Sequence, residues 1–235
     1  MKALNQSNPT VTRSTRWILL ATIFGSSMVF IDGSVVNVAL PTIQRELSAS
    51  AAATQWVVEA YALLLAALFL VGGALGDRFG RRRLFVLGTI LFAITSVACG
   101  IAPNMQTLIA ARAAQGIAGA ILTPASLAII TATYDDDAER GKAIGTWSGF
   151  TAITTAFGPV LGGWLVDVAS WRWVFFINVP FAVLILYLTV NHMPESRDPD
   201  AKHIDWRGAI LTVVGLGALV FGLIEAPVAG GVTGS

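Results

Sequence analysis

Apolar residues run along this chain in seven long blocks, with none of the short apolar/polar alternation that marks strands. The blocks cover residues 17–40, 55–76, 84–102, 105–133, 143–168, 173–190 and 208–226. A bilayer core about 30 Å thick needs about 20 apolar residues in helical form, and each block is long enough. In lipid every backbone polar group needs an internal partner, and a helix supplies its own. The pattern therefore predicts an all-α membrane protein. It divides the chain into an N-terminal tail (1–16), a six-helix transmembrane bundle (17–190), a polar linker (191–207), a seventh transmembrane helix (208–226) and a short tail (227–235). The breaks between helices are expected at Pro41, Asp77 to Arg83, Pro103 and Asn104, Tyr134 to Arg140, and Ser170 to Arg172. The first block is too long for the apolar core of a secretory signal and reads as a retained helix.

Composition strengthens this picture. The chain of 235 residues is 55% hydrophobic and 12% charged, with mean hydropathy +0.71. A soluble domain carries roughly 25% charged residues, so half that density cannot cover a water-facing surface. The net charge of +1 gives no field for nucleic acid. Cys99 is the single cysteine, which excludes an intramolecular disulfide and any cysteine-based metal or redox motif. His192 and His203 lack metal-ligand spacing and read as solvated linker residues, so no metal site is expected. The acidic run Asp135 to Asp137 with Glu139 has its glycine and final glutamate misplaced for a calcium loop and reads as a solvated link. No phosphate-binding Gly-x4-Gly-Lys motif occurs, so ATP hydrolysis is not expected, nor is any enzyme activity.

Basic residues orient the helices. With the N-terminus inside, Arg78, Arg81, Arg82, Arg83, Arg140 and Lys142 all fall on the cytoplasmic side, and only Arg45 and Arg172 fall outside.

Three charges lie within the predicted spans: Asp32, Glu59 and Arg112. Ionisable groups at membrane depth are costly, and each is a functional hypothesis by default. Counting helical rise puts Glu59 about 6 Å and Arg112 about 10 Å inside the outer face, with Asp32 at similar depth. A carboxyl that moves between an apolar surrounding and an arginine changes its proton affinity, whereas the arginine stays charged. Asp32 and Arg112 are therefore candidates for proton handling, against the alternative of a static pair that locks the bundle. Glu59 stands nearer headgroup water. Trp171 and Trp173 suit an interfacial aromatic belt.

Four segments carry a pattern: Asp32-Gly-Ser-Val-Val-Asn37-Val-Ala-Leu-Pro41; Gly73-Ala-Leu-Gly76-Asp77-Arg78-Phe-Gly80-Arg81-Arg82; Leu108-Ile-Ala-Ala-Arg112-Ala-Ala-Gln115-Gly116-Ile-Ala-Gly119; and Gly158-Pro159-Val-Leu-Gly162-Gly163. Together they resemble the major facilitator superfamily, in particular its fourteen-helix drug:proton antiporter branch (QacA/EmrB type). The resemblance implies the N-terminal six-helix bundle of that fold plus one further helix. It implies a multidrug efflux antiporter in a bacterial-type cell membrane, driven by the proton gradient without a cofactor. Asp32 and Arg112 would couple protons. Glu59, Asn37 and Gln115 are candidates for the substrate or proton site. Gly73, Asp77, Arg78, Gly80 and Arg81 would form a cytoplasmic gate. Gly158, Pro159, Gly162 and Gly163 form the antiporter motif of helix five, a kinked, smooth face suited to sliding against a second bundle. Expected partners are protons, an amphipathic small molecule, the lipid bilayer, and a C-terminal half or second chain that the sequence lacks. The chain reads as a truncation for that reason. A drug cavity is expected along Phe24, Met28, Phe30 and Trp56. An exporter of one metabolite, or a non-transporting membrane subunit, would share these motifs.

Overall fold

The computed structural model describes residues 9–198 and 205–229, with side chains described for residues 15–198 and 205–224. The expected tail, linker and end segments at 1–8, 199–204 and 230–235 lie outside the described residues. Eight helices appear among those described: α1 (Pro9–Glu46), α2 (Ala51–Phe79), α3 (Arg81–Gly100), α4 (Met105–Thr133), α5 (Asp137–Val168), α6 (Trp173–Phe176), α7 (Asn178–His192) and α8 (Trp206–Ala229). Because α6 and α7 run on as one apolar segment, seven segments are long and apolar enough to cross a membrane. The protein is a multi-pass, all-α membrane protein.

The helices run past the apolar blocks, since hydropathy marks lipid contact and not the end of hydrogen bonding. The 38 residues of α1 span about 57 Å at 1.5 Å each. This helix takes in residues 9–16 of the expected tail and continues through Pro41, so the expected break there is absent. Pro41 removes one hydrogen-bond donor without ending the helix. The expected link from Asp77 to Arg83 shrinks to Gly80, whose φ of 112° suits glycine. Asp136 is the N-cap of α5, accepting from the Glu139 backbone N–H at 2.9 Å, so the acidic run starts a helix instead of forming a loose link. Ser50 and Asn104 cap α2 and α4 in the same way. The sixth span parts at Ile177 because Pro180 cannot donate to the carbonyl of Phe176.

The helix α1 packs along α5, and α2 along α4; α3 also lies along α4, α7 along α1, and α8 against α2. Exchanging α1–α3 with α4–α7 maps each of the first four pairings onto another, as inverted three-helix repeats do. The register is tight. The capping residues Ser50 and Asp136 are 86 positions apart. A Cβ on Gly72 would strike Ala120 and Ile121 of α4, and a Cβ on Gly158 would strike Ser34 and Val35 of α1. These three pairs of equivalents are also 86 positions apart.

Two apolar clusters fill the interior. One includes Met28, Val29, Tyr61, Phe85, Phe92, Leu122 and Ile185. The other includes Val35, Val57, Cys99, Leu108, Val174 and Phe175. Along α1, α2, α3, α4 and the α6–α7 span, the chain passes from one cluster to the other at one level. The polar residues of the candidate site stand at that level.

Candidate functional site

Asp32 and Arg112 meet there, both fully buried, with Arg112 Nη1 donating to Asp32 Oδ2 at 2.5 Å. Arg112 and Gln115 share one face of α4 because they are three residues apart. Arg112 Nη1 also donates to Gln115 Oε1 at 2.7 Å, and its Nε donates to the carbonyl of Val57 at 3.0 Å. Its guanidinium lies 4.0 Å from the centre of the Tyr61 ring, a cation–π contact in a dry interior. Tyr61 is itself fixed, donating to the Val29 carbonyl at 2.9 Å.

The second oxygen of Asp32 accepts two amide hydrogen bonds. Gln115 Nε2 donates at 2.9 Å and Asn178 Nδ2 at 2.8 Å. Both amides also donate to Ser96 Oγ, at 2.8 and 3.1 Å. The Cys99 thiol, one turn along α3 from Ser96, lies 3.6 Å from Gln115 Oε1. Residues of α4 and α7 thus bond the α1 carboxylate directly, and residues of α2 and α3 hold those partners in place. A buried ion costs several kcal/mol unless paired and hydrogen-bonded, and here charge and lone pairs are satisfied together. Arg112 Nη2 makes no hydrogen bond within the described structure.

The other candidates fall elsewhere. Gln115 stands beside Asp32, but Asn37 does not. It is exposed on α1 and donates to its own helix at Gly33. Glu59 is half-buried on α2 and has no ion pair among the described residues. The four expected cavity residues do not share a cavity. Met28 is in the core, and Phe24 packs against Phe181. Phe30 lines a groove of about 500 Å³ with Ser148, Thr151, Ala152, Thr155 and Ala156. Trp56 lines another, of about 360 Å³, and packs against Phe221 of α8.

The α2–α3 link forms a second charged site. Arg81 pairs with Asp77 at 2.9 Å, and Arg78 lies over Phe79. Gly73 approaches Pro124 of α4. The chain leaving α7 crosses this link. Arg81 N–H donates to the Ser196 carbonyl at 2.8 Å, Asp198 N–H to the Asp77 carbonyl at 3.0 Å, and Arg82 N–H to Glu195 Oε1 at 3.1 Å. A Cβ on Gly80 would fall 2.6 Å from that glutamate oxygen.

In α5, Gly158 and Gly162 face α1 and let the two backbones close up. They do not present the outward sliding face that the motif suggested, whereas Pro159 is exposed. The open glycines of α5 are Gly141, Gly145 and Gly149, where an added Cβ meets nothing within 4 Å. Trp171 is not a belt residue either. It is fully buried and donates to Glu46 at 2.8 Å, while Trp173 is exposed. His192 is half-buried at the end of α7 and stacks on Trp17, centroids 5.4 Å apart, whereas His203 lies outside the described residues.

A family model described as Major Facilitator Superfamily matches residues 22–231. The chain belongs to the major facilitator superfamily. It is 41% identical over 217 residues to the multidrug resistance protein Stp of Mycobacterium tuberculosis, covering 92% of this chain and 40% of that protein. It is 40% identical over 211 residues to the puromycin resistance protein pur8 of Streptomyces alboniger, covering 89% of this chain and 42% of pur8. A tetracenomycin C resistance and export protein of Streptomyces glaucescens is 39% identical, covering 89% of this chain and 39% of its own length. The chain spans less than half the length of these relatives. Among solved structures, a bacterial homologue of the lysosomal transporter Spinster, inward-facing and unoccupied, superposes with a TM-score of 0.66 at 27% identity, over 84% of this chain and 45% of that one. A peptide transporter shares the fold at 15% identity, with a TM-score of 0.69 over all of this chain and 49% of its own. The superfamily consists of transporters and not enzymes.

Sequence reading missed Ser96, Asn178, Tyr61 and Glu195. Asn178 carried a signal, as an amide within an apolar span, but the neighbouring tryptophans drew the reading toward an interfacial anchor.

Proposed function

We propose that this chain forms the first bundle of a proton-driven efflux transporter for amphipathic, often cationic compounds. The observation that carries the reading is the Asp32–Arg112 pair, fully buried where helices from both repeats converge. A purely structural bundle of this kind would be served as well or better by apolar packing. Asp32 takes up and releases the proton, and Arg112 supplies the competing charge when the proton leaves. Gln115, Asn178 and Ser96 orient the carboxylate. Moving one charge down 100 mV releases about 2.3 kcal/mol, enough to bias the cycle, and no cofactor is required.

The α1–α5 groove at Phe30, Thr151 and Thr155 offers an aromatic ring and hydroxyls to an amphipathic compound. Glu59, one helical turn beyond Trp56 on α2, would meet a cationic group. Asp77, Arg78 and Arg81, with Glu195 across from them, would form the cytoplasmic gate, with the N-terminus inside a bacterial cell membrane. A second bundle completes the pathway, from further chain or from another polypeptide.

The names of the relatives favour two substrate ranges, many drugs for Stp and one antibiotic for pur8. The test is expression of the reading frame encoding this chain in an efflux-deficient host, with ethidium and a panel of toxic cations. Uncoupler-sensitive ethidium efflux that disappears in Asp32→Asn supports the proposal. Full proton-driven efflux in Asp32→Asn overturns the coupling role. Protection against a single compound selects the narrower substrate range.

A further inference from the structure

Two arginines hold the two ends of the bundle in the same way. At the end carrying the α2–α3 link, Arg82 Nη2 donates to the carbonyl of Val190, in the last turn of α7, at 3.2 Å. At the opposite end, Arg172 Nη1 donates to the carbonyls of Gly100 and Ala102, at and just past the end of α3, both at 3.0 Å. Arg82 and Arg172 are 90 positions apart, and so are Gly100 and Val190. Each repeat therefore sends an arginine from the start of its third helical segment onto the closing carbonyls of the other repeat's third helix. Those carbonyls have no partner within their own helix, and a cation there also meets the negative end of the helix dipole.

Arg172 is tied further. Its guanidinium stacks on Trp171 at 4.3 Å, and the Trp171 indole reaches Glu46 at the end of α1. The backbone of α3 is close by, since a Cβ on Gly100 would lie 2.5 Å from Phe176. Ser96 stands one turn before Gly100, and Asn178 stands six residues after Arg172. These two residues bond each other beside Asp32. The arginine thus fixes the two segments whose relative placement sets the Asp32 site.

We propose that Arg172 is a positioning residue for the buried site. Its hold on Gly100 and Ala102 keeps Ser96 and Cys99 of α3 in register with Asn178 of α7, and closes the site from that end of the bundle. Its importance for transport rests on the coupling role proposed for Asp32, whereas its hold on α3 can be measured without transport.

Cys99 provides the readout, being the only cysteine, fully buried, and beside Gln115. The chain is placed in nanodiscs, where both faces meet solution, and treated with a water-soluble sulfonated maleimide well below its melting temperature. Loss of two charge-assisted hydrogen bonds should raise local opening, so Arg172→Ala is expected to label Cys99 at least about tenfold faster than wild type. Arg172→Lys, which can still donate to these carbonyls, is expected to return most of the protection. Arg45→Ala, at an exposed arginine near the same end, and Arg82→Ala, at the opposite end, are expected to label at the wild-type rate. If Arg172→Ala does not keep a cooperative melting transition, Arg172→Gln is read in its place. A wild-type labelling rate in a folded Arg172 variant overturns the proposal. So does an equal rise in Arg45→Ala or Arg82→Ala, which would mean general loosening. Efflux that survives Asp32→Asn removes the coupling reading and leaves this labelling result standing.

Discussion

Asn178, the first residue of α7, donates to the same carboxylate oxygen of Asp32 that Gln115 reaches from α4. The two amides also converge on Ser96, so the carboxylate, two carboxamides and one hydroxyl form a closed ring of donors and acceptors. Replacing Asn178 by Ala leaves one oxygen of a buried carboxylate short of a donor. Hydrogen bonds between membrane helices average about 0.6 kcal/mol, and those to a charged group reach about 1.5–3. Asn178→Ala is expected toward the upper range, as a clear drop in melting temperature in detergent. Asn178→Asp, which puts a second carboxyl beside Asp32, should cost more at neutral pH and recover as pH falls. A variant indifferent to pH would speak against direct contact with Asp32.

Arg112 cannot be exchanged for lysine without loss. Its guanidinium serves the Val57 carbonyl, Asp32 and Gln115 while lying over the Tyr61 ring. An ammonium is a point charge and cannot fill these directions together. Arg112→Lys should therefore lower stability, and Arg112→Met, which strands the carboxylate, should cost about 3–5 kcal/mol. Adding Asp32→Asn to Arg112→Met should recover a large part of that loss. Thermal unfolding of the two single variants and the double variant would measure the coupling directly, and strict additivity would contradict the pairing.

The sequence made the helices and the pairing of Asp32 with Arg112 legible for physical reasons. A lipid-spanning block needs about 20 apolar residues, and a charge inside one stands out against them. Depth along a helix follows from rise per residue, which is why Asp32 and Arg112 could be placed at one level. Rotation about the helix axis does not follow from rise. The motif groups Asn37 with Asp32 five residues away, yet Asn37 lies on the exposed side. Met28 suits a cavity lining by type, yet it lies in the core. Gly158 and Gly162 were legible as a smooth face, but only the packed helices decide that this face meets α1. Glu195 belongs to a polar segment with no periodic signal, and its place against Gly80 depends on where α7 ends.

The glycines of α2, α4 and α5 separate into packed and open positions, and substitution should divide them. A methyl on Gly72 would drive into the Ala120 backbone carbonyl, and one on Gly116 into that of Tyr61. Backbone on the facing helix cannot swing aside, so Gly72→Ala and Gly116→Ala should destabilise by about 1–3 kcal/mol, as overpacking does. Gly145→Ala meets nothing within 4 Å, and exchanging a helical glycine for alanine gains about 0.5–1 kcal/mol. The isolated chain should therefore keep or raise its melting temperature in Gly145→Ala. Under the proposed function, a fall in efflux in the same variant would mark the open stripe of α5 as a contact surface for the proposed second bundle.

Gly80 and Glu195 should act as a pair. Gly80 has φ of 112°, a conformation that side chains rarely adopt, and its Cα side is filled by the Glu195 carboxylate, which also lies 3.6 Å from Arg83. Gly80→Ala carries two costs, backbone strain and displacement of Glu195, of which only the first depends on residue 80 alone. Glu195→Ala removes the second obstacle and also frees the arginine-rich start of α3. Arg81, Arg82 and Arg83 give trypsin three sites at that position, so cleavage rate reports how often the link opens. Glu195→Ala is expected to speed cleavage between α2 and α3 several-fold, in line with the loss of contacts that hold a local segment closed. Gly80→Ala should do the same while lowering the melting temperature. In the double variant, cleavage should be less than the product of the two single effects, because the steric conflict between the new methyl and the glutamate is gone. Multiplicative effects would mean that the Glu195 side chain does not rest against Gly80.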